Sequence, residues 1–157
     1  MSAGALTVRD LMTTHVMTIG MDDSLRTARQ MFHEHKFHHL VVVELGKPVG
    51  VISDRDLLKH ISPFVEVRLG EHPRDLATLN KRIHQMMTRE LVSIGPDRPA
   101  AEAARLMMDR QISCLPVIDE QHRLLGIVTT RDMLRWLVES QLGDAGGPGP
   151  AAQRVLE

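Results

Sequence analysis

Gly50-Val51-Ile52-Ser53-Asp54-Arg55-Asp56 returns as Gly126-Ile127-Val128-Thr129-Thr130-Arg131-Asp132, and this doubled stretch decides how the chain is read. In each copy a glycine leads a β-branched pair and a hydroxyl precedes an acid by three positions, the pattern of a buried strand turning into a helix. Such a corner suits a phosphate, because backbone N–H groups and the positive end of the helix dipole point outward there. The carboxylate can accept hydrogen bonds from a sugar diol. The same hydroxyl and acid also form a capping box, which only starts a helix. For one isolated copy that is the simpler reading, but the shared Gly and Arg exceed what a cap requires.

The repetition extends well beyond this stretch. Met12-Thr13 followed by Val16-Met17-Thr18-Ile19-Gly20 matches Met87-Thr88 followed by Leu91-Val92-Ser93-Ile94-Gly95, at a separation of 75 positions. The register persists through Asp22 and Asp97, Ala28 and Ala103, Leu40 and Leu115, and Val43 and Ile118. It then slips to 76, because five residues separate Glu44 from Gly50 and six separate Asp119 from Gly126, a change that a hairpin turn tolerates.

Each half reads strand, helix, strand, strand, helix. Val16 to Ile19 is a short extended run, and Asp22 or Asp23 can cap a helix carrying Leu25, Ala28, Met31 and Phe32 at helical spacing. Leu40 to Val43 is a buried strand, Lys47-Pro48 leads into Val49 to Ile52 as its hairpin partner, and Asp54 to His60 opens the second helix. In the second half Pro99 falls in the first turn of the matching helix, where its missing N–H costs nothing. Leu115 to Ile118 and Leu124 to Val128 are strands, and Arg131 to Leu142 is the last helix. Asp75 to Gln85 reads as a connecting helix with Leu76, Leu79 and Ile83 on one face, paralleling the shorter Val8 to Leu11. The expected organisation is repeat 1 over 8–61, a linker with a helix over 62–82, repeat 2 over 83–142 and a flexible Gly- and Pro-rich tail over 143–157.

Composition excludes several classes of function. A formal net charge of −1 gives no bulk attraction to nucleic acid or an anionic membrane. No run reaches the roughly 18 apolar residues of a membrane span, and no signal pattern opens the chain, so a cytoplasmic location is expected. The single cysteine, Cys114, precedes an apolar run and reads as a buried inert thiol.

Two such units, each opening with Met-Thr and closing with Gly-x-x-(Ser/Thr)-x-x-Asp, resemble a tandem cystathionine-β-synthase (CBS) domain pair, a Bateman module of the stand-alone bacterial type. The resemblance implies an α/β (α+β) fold of two pseudo-symmetric β-α-β-β-α repeats packed through their sheets, with two clefts for AMP, ADP, ATP or S-adenosylmethionine. It also implies a homodimer and an effector protein as partners, with no catalytic cofactor. Carried over by position, Asp56 and Asp132 would grip the ribose hydroxyls with Ser53 and Thr129. Val16, Val51, Leu91 and Ile127 would form the apolar wall against adenine. Arg55 and Arg131 would approach the phosphates. His38 and His39 stand where the nucleotide-sensing γ subunit of AMP-activated protein kinase places a phosphate-contacting His-Arg pair. Ser113 and Cys114 replace them in the second half, so the first cleft is expected to favour phosphate and the second a nucleoside or sulfonium-type ligand.

Two other readings compete. A structural dimerisation module with empty clefts would have no use for both acids. A metal site could draw on His33, His35, His38 and His39, but His33 and His35 are two apart on a helix and point to different sides. Nucleophile elbow, Walker-type loop, His-Glu-x-x-His and thiol-pair motifs are missing, so a non-catalytic role is expected.

Overall fold

The computed structural model describes residues 6–62 and 73–142; the expected tail over 143–157 and part of the expected linker lie outside the described residues. In chain order, α1 (Val8–Leu11), β1 (Thr18–Gly20), α2 (Leu25–Glu34), β2 (His39–Glu44), β3 (Lys47–Ser53), α3 (Asp54–His60) and α4 (Pro73–Ala77) lead to two single 3₁₀ turns, Thr78–Asn80 and Ile83–Gln85. Then follow α5 (Ala100–Arg110), β4 (Cys114–Ile118), β5 (Leu124–Thr129) and α6 (Thr130–Leu142). The mixed α+β architecture has two small sheets: β1 runs parallel to β2 and β2 antiparallel to β3, while β4 and β5 form a separate antiparallel pair.

The chain divides into two compact units whose boundaries cut across the sequence repeats. Among the described residues, one unit holds 17–62 and 73–91, and the other joins 6–16 to 92–142. In the first, Leu40, Val42 and Ile52 share one face of the sheet with a core that includes Leu25, Ala28 and Leu57 from the helices. In the second, Leu115, Val117 and Val128 do the same with Ala103 and Met107. Because strand side chains alternate, His39, Val41, Val51 and Ser53 occupy the opposite face of the first sheet. Cys114, Pro116, Ile127 and Thr129 occupy the opposite face of the second.

The opening segment of each repeat is built into the unit that carries the other repeat's strands. Thr13 exchanges two backbone hydrogen bonds of 2.9 Å with Ile127, and Thr88 makes the matching antiparallel bridge with Val51. One turn away, Thr7 bridges Pro99 as Arg82 bridges Ser24. Glycine permits this closure. A Cβ on Gly50 would stand 2.6 Å from the Thr88 carbonyl oxygen, and one on Gly126 would stand 2.7 Å from that of Thr13.

Several expected elements are corrected in detail. The helix expected over 75–85 is interrupted, because its backbone is claimed elsewhere: Leu25 N–H donates to the Lys81 carbonyl, Ile83 N–H to that of Asp23 and His84 N–H to that of Met21. These bonds hold Lys81 and Arg82 extended between two 3₁₀ turns. The cap of α2 is Ser24, whose hydroxyl accepts from Thr27 N–H, and not Asp22 or Asp23. Asp23 instead accepts from Gly20 N–H at 2.8 Å. The extended run near Ile94 shrinks to one parallel bridge with Val117. The next N–H the ladder needs belongs to position 96, a proline, which has none.

Gly50→Ala and Gly126→Ala should each lower the unfolding free energy by about 1–3 kcal/mol, the usual cost of overpacking a closed contact. Gly95→Ala, whose Cβ would meet only Arg98 Cγ at 3.5 Å, serves as the control. Urea denaturation checks this, and equal losses at all three positions would contradict it.

Candidate functional site

Each doubled stretch forms a complete capping box at a strand-to-helix corner. Ser53 N–H and Oγ both donate to Asp56 Oδ2, at 3.1 and 2.7 Å, while Asp56 N–H donates back to Ser53 Oγ at 3.1 Å. Thr129 N–H and Oγ1 donate to Asp132 Oδ2 at 2.8 Å each, and Asp132 N–H returns a bond of 3.3 Å. In both, the second carboxylate oxygen is outside this ring of bonds. Lys59 Nζ stands 3.9 Å from Asp56 Oδ1, and Arg135 Nη1 stands 3.9 Å from Asp132 Oδ1, too far for a hydrogen bond. An ionised oxygen with two lone-pair sites is thereby left to meet a vicinal diol. The two differ in enclosure: the Asp56 side chain is 43% exposed and that of Asp132 is 13%.

A third box, outside the doubled stretch, opens α1. Thr7 N–H and Oγ1 each donate to Asp10 Oδ2 at 2.8 Å, and these bonds hold the Asp10 carboxyl below the usual carboxylate range. Thr7-Val8-Arg9-Asp10 even carries the Arg, whose Nε lies 3.0 Å from Asp97 Oδ1. The Arg therefore does not distinguish the doubled stretches. What does is the preceding strand with its glycine, over which the Met-Thr segment of the other repeat closes.

The remaining expected residues divide between the two units. Val51, Ser53, Arg55, Asp56, His38, His39 and Leu91 belong to the unit of residues 17–91. Val16, Ile127, Thr129, Arg131 and Asp132 belong to the other. Leu91 lies three residues beyond Thr88, which bridges Val51, and Val16 lies three beyond Thr13, which bridges Ile127; both apolar side chains are half-buried. Arg55 and Arg131 are exposed on the first turn of their helices.

The two histidines go separate ways. His39 pairs in register with Ser53, so it shares the sheet face of Ser53 and Val51. Its counterpart Cys114, 6% exposed and in no disulfide, pairs with Thr129. His38 turns instead to α3: its Nδ1 lies 2.7 Å from Asp54 Oδ2, and its carbonyl accepts from Asp54 N–H. Thr130 N–H makes the same backbone bond to the Ser113 carbonyl, with no carboxylate at that position. His35 stacks on Phe37 at 5.6 Å, so the histidine cluster disperses. Among the described residues no three His, Cys, Asp or Glu side chains gather as metal ligands would. A groove of about 500 Å³ between α2 and α3 is lined by Arg26, Arg29, Phe32, His33, Asp54 and Leu57, together with Gln30 and Leu58, and by none of the expected site residues.

Burial pushes the His39 imidazole below its ordinary pKa; the Asp54 carboxylate pulls the other way, and His38 and Asp56 act more weakly. The fold thus favours neutral His39, and the unfolded chain takes up a proton more readily below about pH 6.5. Stability from this residue is present above that pH and is lost as pH falls through the lower folded-state pKa. Between pH 7.5 and 5.5 the melting temperature of the wild type should therefore fall further than that of His39→Gln. Parallel falls in the two proteins would contradict this.

A protein-family model described as the CBS domain matches residues 8–63 and again 83–139. A CBS domain-containing protein of Dictyostelium discoideum is 35% identical over 134 residues, covering 84% of this chain and 91% of that protein. The chain spans only 33% of a Methanocaldococcus jannaschii protein to which it is 31% identical over 139 residues, 87% of the chain. It spans 23% of a Methanococcoides burtonii homoserine O-acetyltransferase, at 34% identity over 82% of the chain. Among solved structures, the CBS domain pair of protein MJ0100 in complex with 5′-methylthioadenosine and S-adenosyl-L-methionine superposes with a TM-score of 0.71 at 28% identity, covering 87% of this chain and 98% of that one. CBSX2 in complex with AMP gives 0.70 at 28% identity, covering 86% and 98%. With both repeats matched and the fold shared, this chain belongs to the CBS domain family and carries the domain as a pair.

Proposed function

We propose that this chain is a regulatory, non-catalytic module that senses an adenosine-containing metabolite through two half-sites. Asp56 with Ser53 and Asp132 with Thr129 would hold the ribose hydroxyls, Val51 with Leu91 and Ile127 with Val16 would flank adenine, and Arg55, Arg131 and His39 would face the 5′ end. The observation that carries the reading is the uncommitted Oδ1 of each boxed acid, repeated at equivalent strand ends. Similar CBS pairs have been solved with AMP and with S-adenosylmethionine, which supports the ligand class. Occupancy would shift how the module packs with itself or with an effector protein, and the cytoplasm is the proposed setting.

The capping role must be separated from the binding role, and Asp10 provides the means. Millimolar AMP, ATP or S-adenosylmethionine should raise the melting temperature, a ligand at 100 times its Kd adding about 2.7 kcal/mol. The shift should survive Asp10→Asn, which perturbs a cap alone, and vanish in Asp56→Asn/Asp132→Asn. No shift with any ligand, or an undiminished shift in the double variant, would contradict the proposal.

Self-association is proposed on a separate observation. Met108 is 77% exposed, and Leu134, Leu137 and Val138 are 62%, 48% and 55% exposed, on the paired helices α5 and α6. Such apolar surface suits a second copy of the chain. Leu134→Glu/Leu137→Glu should convert a dimer into a folded monomer on light scattering; an unchanged mass would contradict this interface.

A further inference from the structure

We infer that Asp54 and its counterpart Thr130 set opposite charge preferences in the two half-sites: the Asp56 half-site favours an adenosine ligand with a cationic 5′ substituent, such as a sulfonium, and the Asp132 half-site favours a 5′ phosphate. The inference rests on the adenosine reading above and adds a ligand class to each half-site. At the start of α3, Asp54 and Asp56 stand with Arg55, and Lys59 reaches back from the last turn to 3.9 Å from Asp56 Oδ1, two acids with two bases. At the start of α6, Asp132 stands with Arg131 and Arg135, one acid with two bases, because Thr130 occupies the place of Asp54. Each boxed acid stands in the first turn of its helix, so the difference between the two turns is one carboxylate.

Three observations bring that carboxylate to bear on the site. Asp54 directly follows Ser53 of the box, and its Oδ1 accepts Arg55 N–H at 2.8 Å, placing negative charge at the first turn of the helix. Its Oδ2 holds His38 at 2.7 Å, so the histidine that the sequence offered to a phosphate is already engaged by an anion. Of the charges acting on His39, which lies on the Ser53 face, Asp54 is the strongest. A ribose diol held on Asp56 would leave its 5′ substituent about one sugar's width from the box, within range of the Asp54 charge. In partly solvated surroundings one unit charge at that range changes affinity by about threefold to tenfold. This order is the reverse of the one suggested by the His38-His39 pair in the sequence.

Isothermal titration of single-site proteins tests the assignment. Asp132→Asn leaves the Asp56 half-site, and Asp56→Asn leaves the other. Each is titrated with AMP, uncharged 5′-methylthioadenosine and S-adenosylmethionine, with affinities expressed relative to methylthioadenosine. The ratio of S-adenosylmethionine to AMP affinity should be about threefold to tenfold higher at the Asp56 half-site. Adding Asp54→Asn, which keeps the size of the side chain, should erase the excess, and Thr130→Asp should create it at the other half-site. The differences should shrink as ionic strength rises. Equal ratios at the two half-sites, or ratios that ignore both substitutions, overturn this inference and leave the adenosine reading standing. Failure of all three compounds to bind overturns both.

Discussion

The structure depends on a contact that only glycine allows, the approach of a neighbouring backbone to within hydrogen-bonding range over Gly50 and Gly126. Each sheet recruits an extra segment there, Thr88 beside Val51 and Thr13 beside Ile127. Neither segment comes from the repeat that supplies the strands. The Met-Thr opening of one repeat therefore belongs physically with the strands and box of the other, and each proposed half-site would draw on residues far apart in sequence. Val16 thereby falls in the same unit as Ile127 and Asp132, and Leu91 in the same unit as Val51 and Asp56. A side chain at either glycine would obstruct the fold and the site together.

A carboxylate has two oxygens, so capping the helix leaves each boxed acid able to take the proposed binding role as well. Oδ2 closes the first turn of the helix, and Oδ1 extends beyond it. The box at Thr7 and Asp10 shows that the first role needs no ligand. Rigidity is the gain for the second role: a carboxylate pinned by two donors loses little further freedom when it accepts a hydroxyl. Around this shared frame the halves have diverged, with Cys114 at the place equivalent to His39 and Thr130 at the place equivalent to Asp54. The symmetry lies in the backbone and the boxed acids; the differences lie in charge.

Much of this was legible in the residues. The β-branched run Leu40 to Val43 and the twofold Gly-x-x-(Ser/Thr)-x-x-Asp identified the strands, helices and boxes, because burial and capping leave local signatures. Long-range backbone bonding was not legible. Asp75 to Gln85 has helical apolar spacing, yet carbonyls and N–H groups of residues 21–25 claim its backbone. Asp22 or Asp23 is the expected cap of α2, and nothing local discloses that Gly20 N–H takes Asp23 and leaves the role to Ser24. The divergence of His38 from His39 was concealed for a similar reason: it depends on strand alternation and on Asp54, sixteen residues away. The exchange of opening segments leaves no trace in local pattern at all, since each Met-Thr sits correctly at the head of its own repeat.

The central claim is that the outward oxygen of each boxed acid receives a ribose. A crystal structure of the protein grown with AMP and with S-adenosylmethionine tests it most directly. The account predicts sugar hydroxyls within hydrogen-bond distance of Asp56 Oδ1 or Asp132 Oδ1, with Oδ2 still bonded to Ser53 or Thr129. Nucleoside density away from both acids, or sites that stay empty at saturating ligand, would contradict it.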